Sequence, residues 1–248
     1  MKRKMKTLVI IPSRLSASRL PGKPLLKING LSIISHVYKK AIEANIGEVF
    51  VAAEDQEIIE DVRKNGGEAI LTSNNHKTGT DRIYEALIKL DRTDVELVMN
   101  LQGDEPLMNI DDIQNLNNNM INTKRDLGTL AAKINDKKVF ENQDIVKVIT
   151  EESLDVAKFP QALNFMRKLD KENNQAYHHL GIYCYNIEVL RRFISFKQSQ
   201  NEIKNRLEQL RALDNNISIN VALAKSSPIG VDTKEDFMAI KKIMEYKS

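Results

Sequence analysis

Apolar positions in the first half of the chain alternate between two periods. Leu8-Val9-Ile10-Ile11 is an unbroken run that reads as a buried strand over 7–11. Ile33, Ile34, Val37, Ala41 and Ile42 then recur at helical spacing and predict a helix over 32–45. A strand follows at 48–53. A helix at 56–65 ends on Gly66-Gly67, which suits a left-handed cap. A short strand at 68–72, a helix at 81–90, a strongly apolar strand at 95–101 and a helix at 111–122, opening on Asp111, continue the series. This strand–helix rhythm predicts an α/β fold with a mainly parallel sheet covered on both faces.

The second half is less regular. Strands are expected at 129–134, 145–150, 154–158, 180–185 and 217–224, and helices at 187–196, 202–213 and 234–246. The polar stretch 164–177 lacks periodicity and reads as an exposed loop or a partner-contacting excursion. No repeat, low-complexity tract or Pro/Gly/Ser linker divides the chain. The expectation is therefore one domain over 1–248, with an inserted lobe near 155–190.

Composition narrows the class. Of 248 residues, 42% are hydrophobic, but aromatics reach only 5% and Trp is absent, so the core must be aliphatic. The 37 basic and 34 acidic residues nearly balance, which argues against a general nucleic-acid binder. The lone Cys184 excludes a disulfide framework and a Cys-based zinc site, and it reads as a reduced core residue. The basic start, Met1 to Lys6, precedes an apolar run too short for a signal peptide or a membrane span. A soluble, cytoplasmic protein without membrane insertion is expected.

Candidate chemistry lies in the loops. After the first strand comes Arg14-Leu15-Ser16-Ala17-Ser18-Arg19-Leu20-Pro21-Gly22-Lys23-Pro24. Loops at the carboxyl ends of strands in open α/β sheets bind ligands. Pro21-Gly22 supports a tight turn, and Arg14, Arg19 and Lys23 suit a polyanion such as a nucleotide triphosphate. A solvated basic loop is the competing reading. It is not a Walker loop, because no Gly-Lys-Ser/Thr is correctly spaced.

Gln102-Gly103-Asp104-Glu105-Pro106 follows the apolar strand; it reads either as a Mg²⁺ anchor or as a capped turn. In Gly230-Val231-Asp232-Thr233-Lys234-Glu235-Asp236, Asp232 or Thr233 caps the last helix, or Asp232 supplies a second metal ligand. His76-Lys77-Thr78-Gly79-Thr80-Asp81-Arg82 opens a helix in a way that suits an anion, a base edge or a plain cap. His178 and His179, adjacent on a strand, point to opposite faces and make poor joint ligands. Leu207-Glu208-Gln209-Leu210-Arg211 is by pattern an ordinary amphipathic helix.

Taken in order, these stretches, with Ile28-Asn29-Gly30 and His179-Leu180-Gly181-Ile182-Tyr183, resemble the 3-deoxy-manno-octulosonate (Kdo) cytidylyltransferases over nearly the whole chain. The resemblance implies a three-layer α/β/α fold of the nucleotide-diphospho-sugar-transferase kind, with a smaller inserted dimerisation lobe. It implies a Mg²⁺-dependent reaction of CTP with a Kdo-like sugar acid, giving CMP-sugar and pyrophosphate, in a homodimer. By resemblance, Arg14, Arg19 and Lys23 hold the triphosphate, joined by Ser18, Thr80 and Gln102 on the nucleotide. Asp104 and Asp232 hold the metal, and Arg14, Lys23, Asp104 and Asp232 form the catalytic set. Arg82, Gln102, His179, Tyr183, Glu208 and Gln209 face the sugar.

Some positions depart from the family pattern. Pro160-Gln161 stands where Ser-Arg is usual, with Arg167 or Lys168 as the nearby replacements; Ala53-Glu54 stands for Thr-Asp, Asn205 for Glu and Lys234 for Pro. These departures imply a divergent member. Its alternatives are a cytidylyltransferase for a modified Kdo or a sialic-acid-like nonulosonate, and a non-catalytic nucleotide-binding homologue.

Overall fold

The first apolar run forms β1 (Thr7–Ser13), in which Leu8, Val9, Ile10 and Ile11 are all shut from solvent. The structure, a computed structural model, describes residues 6–16, 19–136, 138–169 and 173–246. These fall into two units. One holds 6–95, 100–110 and 228–246; the other holds 96–99 and 111–227.

In the first unit, β2 (Lys27–Ile28) and β3 (Leu31–Ser32) form a small antiparallel ladder. α1 (Ile33–Glu43) follows, capped by the Ser32 hydroxyl, which accepts from the Ser35 N–H. β4 (Gly47–Ala53) runs parallel to β1, in register from Thr7↔Gly47 to Ser13↔Ala53. α2 (Gln56–Lys64) leads to β5 (Ala69–Leu71), which is parallel to β4. α3 (Gly79–Lys89) starts two residues earlier than its apolar pattern suggests, because Thr78 and Asp81 close a capping box. Parallel strands align their carboxyl ends, so the segments leaving β1 at Arg14 and β4 at Glu54 emerge side by side.

β6 (Leu97–Asn100) is buried throughout. The second unit continues with α4 (Ile110–Thr123), β7 (Leu127–Ala132), a four-residue α5 (Lys138–Glu141), β8 (Lys147–Thr150), β9 (Ala162–Met166) and β10 (Ala176–Asn186). It closes with α6 (Ile187–Ser195), α7 (Gln200–Asn205), α8 (Leu210–Asp214) and β11 (Ile219–Leu223). β11 lies parallel to β7, whereas β10 is antiparallel to β7 and β8, and β8 to β9. The chain then returns to the first unit with α9 (Lys234–Tyr246). Among the described residues no helix is long and apolar enough to cross a membrane.

Three expected elements are corrected. Residues 154–158 are a turn, not a strand: Leu154 is 5% and Val156 82% exposed, although alternation would place both on one face. The stretch 164–177, expected as a loop, contributes the end of β9 and the start of β10. β9 turns Leu163 and Asn164 outward, so backbone pairing with β8 rather than an apolar pattern makes it a strand. The helix expected at 202–213 is split into α7 and α8 by Arg206, which adopts the left-handed conformation at φ 54°.

Candidate active site

The basic loop after β1 folds back on itself. Gly22, at φ 70°, takes the left-handed conformation that only glycine adopts without cost, and its N–H reaches Leu15 O at 3.1 Å. This places Lys23 inward, with its side chain 12% exposed. Its ammonium donates to Asp104 Oδ2 at 2.7 Å and to Asp232 Oδ1 at 3.2 Å. The Arg19 guanidinium meets Asp232 Oδ2 at 2.9 Å. Three stretches distant in sequence therefore converge on one ammonium group.

Backbone geometry fixes that convergence. The Val231 N–H donates to Asp104 O at 2.9 Å and ties the last segment of this unit to the Asp104 turn. A Cβ on Gly103 would lie 2.9 Å from Pro12 O, so glycine is what lets the two loops approach. At the start of α9, Thr233 Oγ1 accepts from the Asp236 N–H, while Asp236 Oδ2 accepts from the N–H groups of Thr233 and Asp232. Thr233 and Asp236 thus do the capping, and the Asp232 carboxylate is left to the Lys23 site.

These groups line a cleft of about 330 Å³ in the first unit. Arg14, Arg82 and Gln102 also line it, with Thr78 and Gly79 from the start of α3. Thr80 is buried at 1% exposure and does not reach the cleft wall; Ser18 lies outside the described residues. Ser13 lines the cleft with a hydroxyl that has no protein hydrogen-bond partner.

Arg82 is 3% exposed. It donates through Nη1 to Thr72 Oγ1 at 2.6 Å and to Ser73 O at 3.2 Å, and through Nη2 to Glu54. Glu85, which the sequence patterns did not single out, accepts from the Ser73 N–H, Lys89 and His76. Burial works to raise its pKa, but Lys89, His76 and the Ser73 N–H together hold it at about 2. It thereby fixes the loop that carries His76 into the cleft wall.

Glu105 belongs to the acidic pair read as a possible Mg²⁺ anchor but was not carried into the site set. Its Oε2 is shut from solvent without a hydrogen-bond partner. Burial, and then the charges of Asp104 and Asp232, push its carboxyl up to about 8 against the pull of Lys23. Asp104 and Asp232 share Lys23, Arg19 adds a second cation at Asp232, and the unpartnered Glu105 carboxyl lies beside them, so the two aspartates are the oxygen donors available to a further cation. Among the described residues no three such side chains form a complete metal cage. That donor set suits Mg²⁺, which takes one or two carboxylates and completes its shell with phosphate and water.

The second unit holds the remaining candidates. His179 is buried; its Nε2 lies 3.0 Å from Thr129 Oγ1, and its ring packs edge-on against Phe165 at 5.0 Å. The Thr129 hydroxyl lies 2.7 Å from Ile182 O and 3.2 Å from Leu180 O, so it donates to a carbonyl and accepts from the Nε2–H of His179. Burial and the neighbouring His178 push its pKa down to about 3. Tyr183 stacks at a tilt 5.5 Å from His179, and burial keeps its phenol protonated. Glu208 and Gln209 form the turn between α7 and α8, where their carbonyls accept from the N–H groups of Arg211 and Ala212. Gln161 is exposed, and its backbone bridges Asn220. Arg167, a proposed substitute for the missing arginine, spends Nε on Asn205 O, Nη1 on Gln143 O and Nη2 on Arg206 O.

The sequence model described as "Cytidylyltransferase" matches residues 8–219, which sets the class of protein. The 3-deoxy-manno-octulosonate cytidylyltransferase of Afipia carboxidovorans is 42% identical over 244 residues, covering 96% of each chain. The enzyme of the same name from Nitrobacter hamburgensis is 40% identical, covering 97% of this chain and 93% of its own. A solved CMP:2-keto-3-deoxy-manno-octonic acid synthetase complexed with CTP superposes with TM-score 0.88 at 33% identity, covering 98% of this chain and all of that one. The chain belongs to the 3-deoxy-manno-octulosonate cytidylyltransferase family. The expected α/β class with a mainly parallel central sheet is the fold it shares with these proteins.

Proposed function

We propose that the protein transfers CMP from CTP to the anomeric hydroxyl of Kdo, releasing pyrophosphate, and that it works as a homodimer with Mg²⁺. The observation that carries the reading is the Lys23 ammonium bridging Asp104 and Asp232 beneath a cation-lined cleft. Near full-length relatives of that name support it.

Arg14, Arg19 and Lys23 bind the β- and γ-phosphates and neutralise charge as pyrophosphate leaves. Asp104 and Asp232 hold Lys23 and Arg19 oriented before the nucleotide arrives. The same two carboxylates are the groups that would hold Mg²⁺, which when bound neutralises phosphate charge and acidifies the attacking hydroxyl. Gln102 contacts the nucleotide, and Arg82, expected on the sugar side, lines the same cleft and is reassigned to the nucleotide. His179, Tyr183, Glu208 and Gln209 are assigned to the sugar acid; neutral His179 and protonated Tyr183 suit hydrogen bonds to hydroxyls. In the reaction the anomeric oxygen bonds the α-phosphorus, the α–β P–O bond breaks, and the hydroxyl proton is released.

The exposed Gln161 and the committed Arg167 favour a second reading in which the acceptor is another acidic sugar. Pyrophosphate release from CTP and Mg²⁺ with Kdo, a modified Kdo and a nonulosonate tests both readings. Kdo is expected to give the highest kcat/KM, and Asp104→Asn to lower kcat at least ~100-fold with the fold intact. Release with a nonulosonate alone would replace Kdo as the acceptor, and no release with any acid despite CTP binding would refute the enzyme.

A further inference from the structure

Asp55 occupies the N-cap of α2, where an aspartate normally accepts from the helix's own free N–H groups and contributes about 1 kcal/mol. Here it makes no such bond. The first turn of α2 is met instead by the Asp55 backbone carbonyl, which accepts from Ile58 and Ile59. The carboxylate leaves the helix and accepts from the Leu15 N–H at 2.7 Å. Leu15 directly follows Arg14, so this bond sets the backbone from which Arg14 projects.

The preceding residue does the corresponding job for Arg82. Glu54 has a side chain only 12% exposed and pairs with Nη2 of Arg82. It also accepts from Ser16 Oγ at 3.3 Å. Thr72, which takes Nη1 of Arg82, is anchored to the same strand end by its N–H to Ala53 O at 2.8 Å. Arg14 and Arg82 both line the cleft, yet neither Glu54 nor Asp55 does.

We infer that Glu54 and Asp55, at the carboxyl end of β4, are positioning residues that set Arg14 and Arg82 in one geometry for the nucleotide. The inference rests on the CTP reading of the cleft. Its physical basis is that a catalytic constellation must be held to about 0.5 Å by groups behind it. Parallel pairing of β1 with β4 in register to Ser13↔Ala53 brings the acid pair beside the basic loop. Glu54 also supplies the counter-charge that a buried guanidinium requires.

The experiment measures CTP binding by calorimetry with Mg²⁺, kcat and KM for CTP, and the unfolding temperature of four proteins: wild type, Asp55→Ala, Glu54→Gln and Glu54→Asp. Asp55→Ala should bind CTP about tenfold more weakly. Its unfolding temperature should fall only slightly, because no side-chain cap is lost and only the one hydrogen bond from Leu15 goes. Glu54→Gln should raise KM for CTP about tenfold or more, and Glu54→Asp, which keeps the charge, should restore most of it. Wild-type CTP affinity in Asp55→Ala overturns the positioning role. So does failure of Glu54→Asp to restore what Glu54→Gln loses. If wild type binds CTP but releases no pyrophosphate with Kdo, the proposed reaction fails while the binding series still decides the role of the acid pair.

Discussion

A single buried imidazole shows how far one residue's surroundings decide its chemistry. His179 remains neutral in the fold down to about pH 3, because burial and His178 oppose its charge. In the unfolded chain it titrates near the ordinary value of about 6.5. Between those values the unfolded chain binds the extra proton, so stability is fully present above about 6.5 and falls as pH drops toward 3. Wild type should lose about 2 kcal/mol between pH 6.5 and 5 from this group. His179→Gln should remove that part of the slope in urea unfolding at both pH values; an identical slope would refute the buried neutral assignment. The sequence placed His179 at the head of a strand, whereas β10 begins at Ala176, and it did not show the residue's state, which depends on Thr129 and Phe165 from other strands. Asp104 was legible because it follows an unmistakable buried strand. Asp55 was not: an acid before a helix is the ordinary N-cap pattern, and only the structure shows the carboxylate turned toward Leu15.

At the scale of elements, the split between α7 and α8 places Glu208 and Gln209 in a turn rather than on a helix face. Apolar spacing over 202–213 is consistent with one helix, since periodicity records burial and not backbone continuity. Two features override it: Arg206 turns left-handed, and Arg167 caps the carbonyls of Asn205 and Arg206. The two helices are then joined by Glu202 and Arg211, a bidentate pair at 2.8 and 2.6 Å with both side chains 4% exposed. Arg211 also lies 4.7 Å over the Phe193 ring. Removing one member of a buried pair strands the other charge, so Glu202→Ala should destabilise the protein by about 3–5 kcal/mol in denaturant unfolding. Adding Arg211→Met should recover much of that loss, because the stranded charge goes with it. A single-variant loss below about 1 kcal/mol would show that the pair does not hold the turn. β1, β4, α1 and α2 were legible because helix and strand periods coincide there with two-sided burial. β9 was not, because its pairing partner rather than its side chains makes it a strand.

At the scale of the whole molecule, part of the second unit turns apolar side chains to water. Val156 is 82% and Leu163 58% exposed, and both lie in the 155–190 stretch from which a dimer contact is expected. β9, which carries Leu163, pairs among the named strands with β8 alone. An apolar side chain on a strand edge is a liability unless another surface covers it. The proposed homodimer supplies that cover with a second copy of the same chain. In a two-fold interface each substitution acts twice. Exposing or charging one leucine costs about 1.5–3 kcal/mol per copy, so Leu163→Glu should weaken the dimer at least ~100-fold. Sedimentation should then show two chains for wild type and one for Leu163→Glu at micromolar concentration, with circular dichroism unchanged. A monomeric wild type would remove the dimer from the proposed function. A dimer indifferent to both Leu163→Glu and Val156→Glu would place the interface elsewhere and leave these side chains as ordinary exposed apolar residues.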